Sequence, residues 1–124
     1  MKRVAYIRIE RDWRRALERG GQRFARAWKT GKDQGSHFSF ESPEALFKAI
    51  TPARWTVIET LQRLGPSSLR ALARALARDV KAVHRDVHTL IGLGLVEKDE
   101  LGRLRVPFAR IRTEFDLAAL TDAA

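Results

Sequence analysis

Apolar and polar residues alternate along Arg3–Ile9 (RVAYIRI), with Ala5, Ile7 and Ile9 on one side and Arg8 on the other, which predicts a short strand. Asp12 stands where it can cap a following helix. In that helix Trp13, Leu17, Phe24 and Trp28 form one apolar stripe, provided Gly20-Gly21 is bridged. Each glycine weakens a helix by roughly 1 kcal/mol, so a kink or break is predicted at the pair. Lys29–Gly35 (KTGKDQG) reads as a loop. From His37 to Glu41 the alternation returns, with Phe38 and Phe40 on one side, and predicts a second strand. Ser42-Pro43-Glu44 then has the order of a cap, a first-turn proline and a first-turn acid, so a short helix runs to about Ile50.

The pattern is densest between residues 51 and 106. Thr51-Pro52 repeats the start signal, and Trp55, Ile58, Leu61 and Leu64 mark one face of a helix that Gly65-Pro66 ends. Ser67 or Ser68 caps the next helix, whose inward set is Leu69, Leu72, Ala73 and Leu76. After a tight turn at Ala77-Arg78, Asp79 caps a third helix with Val80, Val83, Val87, Leu90 and Ile91 inward and Gly94 as a left-handed cap. Leu95–Lys98 and Arg103–Val106 flank Asp99-Glu100-Leu101-Gly102, a predicted hairpin. Finally Ile111, Thr113, Phe115 and Leu117 alternate against Arg110, Arg112, Glu114 and Asp116 as a last strand.

Three helices of about 14, 11 and 14 residues followed by a hairpin are the plan of a winged helix-turn-helix. The fold class expected is therefore α+β: a winged helix-turn-helix over 51–106, a strand-helix extension over 1–50 with a dimerisation role, and a strand and tail over 107–124. In such a unit the helix after the turn enters the DNA major groove. The small Ala73 lets the two helices approach, and the apolar set leaves Lys81, Ala82, His84, Arg85, His88 and Thr89 outward. Arginine and lysine there can donate to guanine, while histidine serves bases or phosphates. On the preceding helix Arg70, Arg74 and Arg78 are spaced four apart, one basic stripe without acidic partners, suited to a phosphate backbone. Ser68 at the helix start and Arg103 and Arg105 on the wing complete the candidate DNA contacts.

Charge supports that reading. The chain carries a formal +9 with a pI near 11.0, and a basic domain attracts polyanions, nucleic acid foremost. The distribution is uneven: residues 1–32 hold 11 basic and 3 acidic side chains, residues 51–106 hold 10 and 6, and residues 107–124 hold 2 and 3. Arginine outnumbers lysine 18 to 6, a bias that a GC-rich genome would also produce.

From Phe38 to Leu117 the chain resembles the MarR-like winged-helix transcriptional regulators of archaea and bacteria. The pattern stands here as SFESPEALFKAITPARWTVIETL, LARALARDVKAVHRDVHTLIGLGLVEKDELGRL and IRTEFDLAA, with ARDVKAVHRDV its most specific part. The resemblance implies sequence-specific DNA binding by a homodimer, and some members look like antitoxins encoded beside a toxin. Ala71 departs from the acidic capping-box residue of many relatives, and Gly92 from a better helix former. Nothing carries over to residues 1–32.

Other chemistries find little support. His84 and His88 have a zinc-compatible spacing, but cysteine is absent, His37 lies far off and no HExxH occurs, so no metal or cofactor is expected. No phosphate loop, GxSxG elbow or facing carboxylate pair argues for an enzyme. Trp13, Trp28 and Trp55 all fall in apolar stripes and read as core. No apolar run approaches a membrane span and no secretory signal opens the chain, so a cytoplasmic location is expected. The leading reading is a transcriptional regulator acting on double-stranded DNA as a homodimer. The runner-up is an antitoxin that neutralises a toxin partner and autoregulates. A third is an RNA- or chromosome-binding protein without sequence preference.

Overall fold

A computed structural model describes residues 3–30 and 35–119; residues 31–34 of the expected loop, and the side chains of Trp13, Ala16 and Thr30, lie outside the described part. The fold is α+β. Strand β1 (Val4–Ile9) is the centre of a three-stranded sheet, with β2 (Ser36–Phe40) on one side and β5 (Arg110–Glu114) on the other, both parallel to it. Ile7 stands opposite Phe38 in one neighbour and Thr113 in the other. Parallel neighbours need a crossover connection. Helix α1 (Trp13–Thr30) supplies the first. The second contains α2 (Pro43–Ala49), α3 (Pro52–Leu64), α4 (Leu69–Leu76), α5 (Val80–Leu93) and a hairpin of β3 (Glu97–Lys98) and β4 (Leu104–Arg105). The three alternating segments at the two ends of the chain therefore pair with one another. Only the outer edges of β2 and β5 are left over, so the strands give little reason for a dimer partner.

The sheet and the helices share one core. Ala5 and Ile7 of β1 are fully buried with Leu46, Ile50, Val57, Leu72, Val83 and Leu90. Phe38 and Phe108 meet edge to face at 5.9 Å above this cluster. The hairpin is anchored by a third short ladder, in which Ser67 and Leu104 exchange both backbone hydrogen bonds at 2.9 and 2.7 Å. Start signals hold where they were predicted. Ser42, Thr51 and Ser68 each accept a hydrogen bond from the backbone three residues on, at 3.1, 3.3 and 3.1 Å. Both strands of the hairpin and α4 are shorter than expected. Among the described residues no helix is long and apolar enough to cross a membrane.

Helix α1 departs from expectation twice. It runs unbroken through Gly20-Gly21, since the pair weakens a helix by only ~2 kcal/mol and good helix formers flank it. Asp12 caps it through the Arg14 N–H at 2.9 Å. Its apolar stripe, moreover, does not face the core: Leu17, Phe24 and Trp28 are 66, 70 and 82% exposed. Its half-buried side, among the described residues, is Gly20, Arg23 and Ala27 instead, and Arg19 is held 2.7 Å from Glu10 at the end of β1. Trp28 is thus no core residue, and among the described side chains of the first thirty residues the buried ones belong to β1.

Substitutions in the two elements should separate accordingly. Ile7→Ala removes a side chain buried on the central strand and should cost ~2–5 kcal/mol in urea unfolding. Trp28→Ala, measured in dilute solution, should stay within about 0.5 kcal/mol of wild type. Equal losses would mean that the α1 stripe packs within the protomer after all.

Candidate nucleic-acid interface

The α4–α5 turn is built from three local devices. Ala77 adopts φ 54° and ψ 43°, the left-handed region that a non-glycine residue visits only under constraint. Its N–H bonds the Arg74 carbonyl at 3.1 Å, and the Arg78 N–H bonds the Ala73 carbonyl at 3.1 Å, closing the end of α4. Asp79 then caps α5, accepting from the N–H of Lys81 at 3.0 Å and of Ala82 at 3.4 Å. Ala73, only 3% exposed, sits where the helices meet.

Beneath the turn lies a buried carboxylate. Asp86 shares the inner face of α5 with Val83, Val87 and Leu90 and is the one buried acid among the described residues. Arg54 Nε, in the first turn of α3, donates to Asp86 Oδ1 at 3.1 Å, and Arg54 Nη1 donates to the carbonyls of Ala49 at 2.9 Å and Lys48 at 3.4 Å. Arg78 Nη2 approaches Asp86 Oδ2 at 2.9 Å. That contact is one of charge, because Oδ2 and Arg78 Nη1 are buried without a directed hydrogen bond. The trio joins the end of α2, the start of α3, the turn and the middle of α5.

This corrects the stripe predicted on α4. Arg70 and Arg74 lie on the exposed helix face and form no ion pair among the described residues. Arg78 lies beyond the left-handed residue, off the helical repeat, and turns to Asp86. On the outward side of α5 Lys81, His84, Arg85 and His88 are exposed, Ala82 and Thr89 are half-buried, and the two imidazoles stack at 6.2 Å. Val80, expected inward, is 40% exposed because it opens the first turn above the core. Leu64 is likewise 41% exposed at the end of α3. Ser68 is exposed, but its hydroxyl oxygen is occupied by the Ala71 N–H.

On the hairpin both arginines have acids of their own. Arg105 donates through Nε and Nη2 to Glu97 Oε2 at 2.8 and 2.6 Å across the β3–β4 ladder. Arg103 donates to Asp99 at 2.8 Å. Desolvation, the largest single influence on Asp99, would raise its carboxyl. The backbone N–H of Arg103, the Arg103 side chain and the Leu101 N–H outweigh it and hold Asp99 below the usual carboxylate range. Of the hairpin's cations only the exposed Lys98 is left without an acid among the described residues.

Sequence reasoning missed Arg54 and Asp86. A signal existed: residue 86 falls on the apolar row of α5, and a carboxylate on such a row needs a cationic partner. A family model, HVO_A0114, matches residues 49–113, more than half of the chain and the span that runs from the end of α2 into β5. No curated protein and no solved structure matches the chain.

Removing one member of a buried ion pair leaves the others uncompensated. Asp86→Ala should lower unfolding stability by about 3 kcal/mol, the low end for a pair whose arginines keep some water. Arg78→Ala should lose part of the same energy, and the double variant should cost less than the sum. Strict additivity in chemical denaturation would remove Arg78 from the clamp.

Proposed function

The chain belongs to the HVO_A0114 family, and we propose that its α3–α4–α5–hairpin unit is a winged helix-turn-helix acting as a sequence-specific transcriptional regulator of the MarR-like kind. Helix α5 is the reading element, entering the major groove with Lys81, His84, Arg85 and His88, while Arg70 and Arg74 of α4 meet phosphates. One observation carries this reading. Four cations on adjacent helices, Arg70, Arg74, Lys81 and Arg85, are exposed and unpaired among the described residues, whereas Arg78, Arg103 and Arg105 each have an acid and Lys98 alone on the hairpin has none. Unpaired charge on one surface is repulsive in isolation and relieved by a polyanion. Arg78 has a positioning part, and Arg103 and Arg105 a minor one, since DNA must compete with Asp99 and Glu97 for them.

The antitoxin reading draws on a different feature, the uncovered Leu17, Phe24 and Trp28 on α1, which it shares with the homodimer reading. Exposed apolar stripes mark partner surfaces. A second copy would occupy it under the homodimer reading, a co-encoded toxin under the other. In both, the DNA-reading unit is the same.

Two substitutions separate sequence reading from general attraction, with fluorescence anisotropy on a duplex selected from a random library and on a random duplex. Arg85→Ala should lose ~1–3 kcal/mol of preference for the selected duplex. Arg74→Ala should weaken both equally and reduce the slope of log K against log salt by ~0.9. Equal effects of the two would favour binding without sequence preference, and a failure of either duplex to bind would overturn the reading.

A further inference from the structure

The outer face of the sheet collects arginine. Side chains alternate along a strand, so Tyr6 and Arg8 point away from the buried Ala5 and Ile7, and the register sets Tyr6 beside His37. The two rings stack at 5.0 Å. Arg8 lies over the Tyr6 ring at 4.8 Å, with Nη1 3.1 Å from His37 Nδ1. Helix α1 crosses this face and adds Arg19, Gln22 and Arg23, enclosing an open cleft of about 320 Å³.

Two acids reach this group. Glu10 pairs with Arg19 at 2.7 Å, and Glu114 lies 3.7 Å from Arg8. Arg23 meets no acid among the described residues. Its guanidinium is held below its ordinary range, first by desolvation and then by Arg8 and Arg19. Guanidinium groups gathered between a helix and a sheet repel one another, and a ligand with several anionic oxygens turns that cost into binding.

We propose that the cleft between α1 and the outer sheet face binds a small phosphate-bearing ligand, gripped by Arg8, Arg19 and Arg23 against the Tyr6–His37 stack. The cleft has the size of a small-molecule site. It lies on the sheet face opposite the one that packs on the helical core, and so away from the proposed DNA surface. The proposal does not rest on DNA binding.

Pyrophosphate at constant ionic strength is a suitable probe for calorimetry on the full chain. Wild type should bind one equivalent saturably. Arg23→Gln should weaken it at least tenfold, while Arg63→Gln, the same charge change at an exposed site on α3, should leave it unaltered. Equal losses in the two variants, or no saturable binding, would overturn the proposal. Unliganded Arg23→Gln should melt at or above wild type, because it relieves repulsion; a marked fall would make Arg23 structural and also overturn it. Phosphates of nucleic acid are distinguished by competition. Saturating duplex DNA should leave pyrophosphate bound, whereas displacement together with tenfold weaker duplex binding by Arg23→Gln would assign the cleft to the DNA backbone instead.

Discussion

A single buried carboxylate organises the helical half of this protein. Asp86 on α5 is held by Arg54 from the start of α3 and Arg78 from the α4–α5 turn, and Arg54 also takes up carbonyls at the end of α2. Without both cations a charge at this depth would be strongly unfavourable. With them, four segments are fixed at one point, and the exposed side of α5 acquires a defined direction. Hydrophobic contacts alone would fix the inner face of the helix less strictly, since apolar packing is not directional. The left-handed Ala77 belongs to the same device: it ends α4 and swings Arg78 off the helix surface toward Asp86.

Basic charge is consequently divided between two surfaces with different surroundings. On α4 and α5 Arg70, Arg74, Lys81 and Arg85 are exposed and form no ion pair among the described residues, suited to a long polyanion in water. Between α1 and the sheet it is crowded into a cleft with an aromatic wall, suited to a small ligand. The large positive balance of the first 32 residues is thus not simply an arm for DNA. Part of it, at Arg8, Arg19 and Arg23, lines a cleft under a helix whose apolar stripe faces outward, an inversion of the usual arrangement in which the stripe seeks the core.

Local features were legible in the sequence where the physics is local. Capping by Ser42, Thr51, Ser68 and Asp79 follows from side-chain chemistry within three residues, and all four caps form. Alternation revealed all three strands of the sheet. Their pairing was not legible, because β1 and β5 are separated by about a hundred residues and no turn links them. The same limit hid the Arg54–Asp86 contact across 32 positions and the direction in which α1 turns its stripe. The acids on the hairpin were within reach: Glu97 opposite Arg105 follows from the hairpin register, and Asp99 is four residues from Arg103. Gly20-Gly21 shows the opposite error, a local penalty too small to break a helix.

The central claim is that the clamp at Asp86 presents the outward face of α5 to DNA. Backbone amide shifts of labelled protein, followed by NMR as a duplex selected from a random library is added, test it most directly. The account predicts that the largest changes fall on the first turns of α5, at Lys81, His84 and Arg85, with smaller ones at Arg70 and Arg74, and that β1 and α1 stay still. Changes centred on Arg8, Arg19 and Arg23 with α5 unmoved would contradict it.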